Sequence, residues 1–211
     1  RAAFPSAFVS LVRLLSGVGP EGENAPGGET TLREIDSIPA MLSGLRSTYG
    51  RDVVVIRNPA KELALWMGIG WPVIYAPEYP LAPVALRWRG QLGENAKRVA
   101  SGHVLPEMNH NEIVGWEVQK EMYPMTRVVM MEDRDEGERT AMRIGITARV
   151  LEGAGASVRR VSASGENLLT RMMSLISLGD YTSVYLGAAW GVDPTPVEKI
   201  DHLKSKLAEA E

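Results

Sequence analysis

The sequence predicts an α/β fold: a mainly parallel sheet flanked by helices, preceded by an N-terminal helical arm. Three observations carry this reading. From Asp52 onward, short β-branched runs alternate with longer stretches of helical spacing, the pattern of βαβ units. Before that point, two stretches of helical spacing lie on either side of a Gly/Pro-rich loop, so residues 1–49 read as a helical arm or linker and residues 50–211 as the α/β domain. With 211 residues and 45% hydrophobic composition, the chain can bury one core of its own.

Taken in order, Ser6 to Ser16 places Phe8, Val9, Leu11, Val12 and Leu15 on one helical stripe, an amphipathic helix that must dock on another surface. It ends in Gly17-Val18-Gly19-Pro20-Glu21-Gly22, a formal match to the dinucleotide-binding glycine fingerprint. That fingerprint works by setting a pyrophosphate on a helix N-terminus directly after a strand. Here a helix precedes the glycines and a loop follows, so the stretch reads as a helix stop and a surface loop through Gly28. A second helix is expected from near Thr31 to Tyr49, interrupted before Pro39. Val53-Val54-Val55-Ile56 reads as the first strand, Pro59 to Met67 as a helix and Pro72 to Tyr75 as the next strand. Leu81, Ala85, Trp88, Leu92, Ala96 and Val99 form a helical stripe, with a disturbance expected at Gly90 or Gly93. Gly102 to Leu105 is a short strand, Arg127 to Met131 a strand, Glu138 to Leu151 a helix and Ser157 to Val161 a strand. Asn167 to Trp190 is apolar enough for a long core or interface helix, interrupted at Gly179, and the last helix covers Val197 to Ala210.

Composition excludes several function classes. The net charge is −3, and 23 Lys and Arg are interspersed with 26 acids, so no basic stripe marks a nucleic-acid partner. The absence of cysteine rules out disulfides, thiolate nucleophiles and cysteine-held zinc, and fits a reducing interior. No stretch has the basic start and apolar run of a signal peptide, or the roughly 20 apolar residues of a membrane span, so a cytoplasmic protein without a membrane partner is expected. The acidic run Glu132 to Glu138, between a strand and a helix, reads as solvated carboxylates favoured by the helix dipole and not as a metal site.

The segment Pro106-Glu107-Met108-Asn109-His110-Asn111-Glu112-Ile113-Val114-Gly115-Trp116 places one of three histidines among two asparagines and two carboxylates, which neither helix nor strand packing requires. Three other strings stand out with it: Arg1-Ala2-Ala3-Phe4-Pro5, Gly93-Glu94-Asn95-Ala96-Lys97 and Ile200-Asp201-His202-Leu203-Lys204. In order and rough spacing the set resembles the bifunctional phosphoglucose/phosphomannose isomerases, a branch of the sugar isomerase (SIS) fold family. The resemblance covers the second half of such an enzyme; the glycine- and serine-rich phosphate turns of the first SIS lobe have no counterpart here. It implies an SIS-type three-layer sandwich, the C-terminal SIS domain of an aldose-ketose isomerase. That enzyme interconverts glucose 6-phosphate and mannose 6-phosphate with fructose 6-phosphate through a cis-enediol(ate). It further implies that no cofactor or metal is needed, and a homodimer in which the histidine reaches in from the neighbouring subunit.

Such a reaction needs a base for the carbon-bound proton, support for enediolate charge, an acid/base for ring opening and a phosphate anchor. The resemblance assigns the base to Glu94; as a residue alone, Glu94 lies off the apolar stripe and reads equally as a solvated group near a helix end. His110 suits ring opening because imidazole exchanges a proton near neutral pH, with Asn109, Asn111, Glu107 and Glu112 available to fix its tautomer. His103, in a strand, and His202, on the exposed side of the last helix, are not candidates. Arg1 matches the arginine that supports enediolate charge, a role suited to a permanently cationic donor. Lys204 occupies a slot of the last helix where the Ile200, Leu203 and Leu207 stripe would continue, so it either snorkels to solvent or aims into a cleft. The resemblance makes it substrate-binding, together with Asn111 and Thr195. Thr195 stands about two residues from the family's threonine and reads equally as the helix N-cap ahead of Pro196.

Two rivals share the fold: a non-catalytic module that binds sugar phosphates, and a structural subunit that needs a separate first lobe. A sensor requires neither a carbon base nor a ring-opening acid, so Glu94 and His110 favour the enzyme.

Overall fold

The computed structural model describes residues 28–210. Arg1, the amphipathic stretch Ser6 to Ser16 and the glycine loop at 17–22 lie outside the described residues.

The first described element is α1 (Gly28–Tyr49), a single helix that runs through Pro39 without the expected interruption. Pro39 is on its exposed side, while Ile35 and Ile38 are buried on the other. The expected strand Val53 to Ile56 does not form. Val55–Arg57 is a short 3-10 turn, and Val54, Val55 and Ile56 are exposed, Ile56 by 82%. The reason is local. The carbonyls of the run are satisfied locally: Val53 O accepts from Lys61 Nζ of the next helix at 2.7 Å, and Val54 O and Val55 O accept from the Arg57 and Asn58 backbone N–H groups at 3.0 and 2.9 Å, while Asn58 Nδ2 and Lys61 Nζ also hold Gly50 O and Arg51 O just before it. Asn58 also caps α2 (Pro59–Met67), accepting from the Lys61 N–H with Pro59 in the first turn.

The sheet has four strands, all parallel: β1 (Trp71–Pro77), β2 (Ser101–Leu105), β3 (Thr126–Glu132) and β4 (Ser157–Ser162), in the order β2-β1-β3-β4. Residues of β1 and β3 alternate between two faces, as strand geometry dictates. Ile74, Ala76, Val129 and Met131 join a core under α1, α2, α3 (Ala82–Ala96) and α5 (Leu168–Ala189). Val73, Tyr75, Val128 and Met130 join a second core with Ile144, Ala148 and Leu151 of α4 (Glu138–Ala154). The result is the expected three-layer sandwich.

Helix α5 is the spine of the larger layer. It begins with a capping box in which Asn167 and Thr170 each bond the other's backbone N–H. It is not interrupted at Gly179. That glycine serves packing: a Cβ there would lie 2.3 Å from Trp88 Nε1 of α3, which donates to Leu175 O at 2.8 Å. Two turns on, Gly187 leaves room for the Asn95 carbonyl, and between them Ser183 Oγ accepts from Asn95 Nδ2 at 2.8 Å. Helix α3 therefore lies close on α5, unbroken at Gly90 and Gly93. With α1, α2 and α3 packed on it, α5 is a core helix. The last helix, α6 (Glu198–Ala208), buries nothing; Ile200, Leu203 and Leu207 are 43–60% exposed. No helix among the described residues is long and apolar enough to cross a membrane.

Candidate active site

Glu94 lies near the C-terminal end of α3, half-buried. It borders a cleft of about 580 Å³ between that helix end and residues 192–200, whose other walls include Arg89, Lys97 and Asp193. On its other side an apolar groove of about 460 Å³ runs between α3 and α5 past Gln91 and Met172. Two cationic neighbours are already engaged. Arg87 grips Asp180 in a bidentate pair at 3.1 and 2.7 Å, and Arg89 Nε donates to Ala100 O at 3.3 Å.

The segment across the cleft carries Thr195, but not as a helix cap. Val197 directly precedes α6, and Thr195 instead bonds Asp193: its N–H donates to Oδ1 at 2.8 Å. The Thr195 N–H and hydroxyl, and then the charge of Lys97, hold the Asp193 carboxyl below its usual range. Lys97, quoted within its motif but given no role from sequence, ties the segment down. Its ammonium donates to Glu94 O, Pro194 O and Pro196 O at 2.8, 3.3 and 2.6 Å. Lys204 is exposed on α6 and lies outside the residues that line the cleft.

His110 is exposed at the end of the 3-10 turn Glu107–Asn109, and its N–H donates to Glu107 O at 2.9 Å. The polar neighbours expected to orient its ring bond elsewhere. Asn109 Nδ2 donates to Thr147 of α4 at 2.8 Å and Asn111 Nδ2 to Glu107 Oε1 at 2.8 Å. Asn111 Oδ1 accepts the Glu112 N–H, and Glu112 Oε1 accepts from the Tyr75 hydroxyl at 2.5 Å. These bonds shape the loop and fasten it to β1 and α4, leaving the imidazole presented outward. Tyr75, fully buried in β1, was not singled out from sequence; the one signal was a hydroxyl inside an apolar strand. Burial, and then the bond to the Glu112 carboxylate, push its phenol well above the usual tyrosine range.

The acidic run after β3 is not uniformly solvated. Asp133 is only 3% exposed and pairs with the buried Arg171 of α5 at 2.8 Å, while Arg171 also reaches Asp135 at 2.7 Å. The run thus supplies an ion pair that locks the end of β3 to α5.

Glu94 and His110 lie at opposite ends of β2, an edge strand of the sheet. Helix α3 returns antiparallel to the strands, so Glu94 sits near where β2 begins, whereas His110 follows the end of β2. Five strand residues at about 3.3 Å each put roughly 15 Å between those two ends.

Over 209 residues, 99% of this chain, the sequence is 39% identical to a bifunctional phosphoglucose/phosphomannose isomerase of Caldicellulosiruptor bescii, and over 79% of the chain it is 35% identical to one of Aquifex aeolicus. The chain spans 60% and 51% of the lengths of those relatives. A crystal structure of a glucose-6-phosphate isomerase like protein from Thermus thermophilus superposes with a TM-score of 0.67 at 26% identity, covering 80% of this chain and 56% of that one. Residues 56–207 match the family model for the bacterial phospho-glucose isomerase C-terminal SIS domain, and the chain belongs to that family.

Proposed function

We propose that this chain is the C-terminal half of a cytoplasmic phosphoglucose/phosphomannose isomerase, residues 1–49 being the arm that leads from a first SIS lobe into the C-terminal domain. The observation that carries the reading is Glu94: a carboxylate bordering a cleft of about 580 Å³, with Asp193, Pro196 and Val197, on either side of Thr195, forming part of the opposite side. In this reading Glu94 takes the proton from C2 of the open-chain aldose phosphate. The C–H electron pair becomes the C1–C2 double bond as the carbonyl pair moves onto O1, giving the cis-enediolate; the O2 hydroxyl proton passes to O1, and Glu94 returns its proton to C1 as the C2 carbonyl forms, giving the ketose. Arg1 supports the charge on the enediolate oxygens, and Thr195 contacts the sugar phosphate. His110 opens the ring as acid and base. Because it stands at the far end of β2 from Glu94, it serves the site of a second copy in a homodimer, where Asn111 contacts the sugar phosphate beside it. Lys204, which lies outside the lining of this cleft, contacts the sugar phosphate in the assembled enzyme.

The first lobe supplies the phosphate anchor, and binding energy at that remote group positions the sugar for enolisation. Purified alone, the chain should fold and show little or no conversion of glucose 6-phosphate or mannose 6-phosphate in a coupled assay; adding the first lobe should restore turnover. Full activity of the chain alone would overturn the division of labour. A mixture that binds sugar phosphate without turning it over would favour the non-catalytic binding module.

A further inference from the structure

Lys97 closes α3 in the left-handed conformation, with φ 54°, and is the one non-glycine residue at positive φ among the described residues. Glycine is the usual residue at such a helix end, because a side chain there is strained. The side chain of Lys97 supplies the reason for its presence. An ammonium has three N–H donors, and here they serve three carbonyl oxygens on two different segments: Glu94 O on α3, and Pro194 O and Pro196 O on the connection to α6. Thr195 and Pro196 are exposed, Pro194 is partly so, and α6 beyond them buries no residue.

We propose that Lys97 is a positioning residue of the site: its ammonium sets the distance between the helix end that presents Glu94 and the segment that carries Thr195. The inference rests on the reading of Glu94 as the carbon base and of Thr195 as a sugar contact. In this role Lys97 does not touch substrate, since its donors are taken up by main-chain oxygens. It acts by fixing where the C2 hydroxyl, the group in which glucose and mannose phosphates differ, meets the protein.

Two variants separate the ammonium from the backbone turn. Lys97→Gly keeps the left-handed cap and removes the charge; Lys97→Arg keeps a cation that donates in a different geometry. In the 211-residue chain, Lys97→Gly should speed amide hydrogen exchange across residues 192–201 by about tenfold while α3 and α5 keep their protection. In the enzyme assembled with its first lobe, it should lower kcat by about tenfold or more, a misplacement effect, and change the ratio of kcat/KM for glucose 6-phosphate to that for mannose 6-phosphate severalfold. Lys97→Arg should recover part of both losses. Unchanged exchange at 192–201 would overturn the staple, and faster exchange with unchanged kcat and sugar ratio would overturn its link to the site. Glu94→Gln with full turnover would remove the reading of the base instead, a result distinguishable from either because the exchange measurement needs no activity.

Discussion

The end of α3 and the loop after β2 hold their key groups in opposite ways. Glu94 belongs to a helix seated on α5 by Trp88 and Asn95, and the helix end is closed by three bonds from one lysine to main-chain oxygens. His110 belongs to consecutive short 3-10 turns with no regular backbone ladder, pinned by separate side-chain pairs: Tyr75 with Glu112, Asn109 with Thr147 and Asn111 with Glu107. In the proposed reading, a proton taken from carbon requires close and fixed placement of the base, which a docked helix supplies. In the same reading, a ring-opening acid/base that meets its substrate in another copy can be carried on an outward loop whose fastenings are individually weak. Substitutions at the first region should therefore act sharply on chemistry, and those at the second more gradually.

The strongest test of this contrast is Glu94→Gln. In the assembled enzyme it should lower kcat by about three orders of magnitude with little change in sugar-phosphate binding, because shape is kept and basicity is lost. A variant within tenfold of wild type would remove the asymmetry at its source. Next in size is His110→Ala, which should slow turnover of the cyclic aldose phosphate by about a hundredfold while largely sparing C1/C2 proton exchange on open-chain sugar. Equal losses on both substrates would give His110 a binding or assembly role.

The smallest expected effect is that of Tyr75→Phe, which cuts one fastening of the histidine loop at a cost of about 1 kcal/mol in stability. It carries a pH signature. The phenol of Tyr75 is raised in the folded protein, so the folded state holds that proton more tightly than the unfolded chain does. Its contribution is fully present below the unfolded tyrosine pKa of about 10 and is lost as pH rises above it. Urea unfolding between pH 8 and 11 should show a shallower alkaline loss for Tyr75→Phe than for wild type. Parallel curves would mean that the hydroxyl is not buried against Glu112.

Much of this was legible in the sequence because it is local. The strands at 71–77, 101–105, 126–132 and 157–162 each lie in a short run bounded by turns; His110 stands out by its polar neighbours, whereas Glu94 is singled out only by the family resemblance, since its place off the apolar stripe reads as well as a solvated helix end. The run at Val53 to Ile56 misled for the same reason. Its composition is that of a strand, but Lys61 holds the Val53 carbonyl from the next helix and the Val54 and Val55 carbonyls close a 3-10 turn on the Arg57 and Asn58 N–H groups. The fastenings of the site were not legible. Lys97 reaches oxygens 97 and 99 residues away, and Tyr75 meets a carboxylate 37 residues on, partners that exist only once the layers have closed. The unbroken path of α5 through Gly179 belongs here too, since a helix-weakening residue became a helix contact only because an indole arrives there.

That indole makes α3 a ruler with a fixed zero. Trp88 fits over Gly179 and nowhere one step along, because the neighbouring positions on α5 carry a Cβ, and Glu94 stands six residues further on, about 9 Å up the scale at 1.5 Å per residue. Length added after Lys97 is taken up by a connection and leaves the reading unchanged. A single residue gained or lost between Trp88 and Glu94 would move the carboxylate by about 1.5 Å and swing it by about 100° around the helix, so the spacing of these two side chains fixes where the carboxylate stands against the cleft.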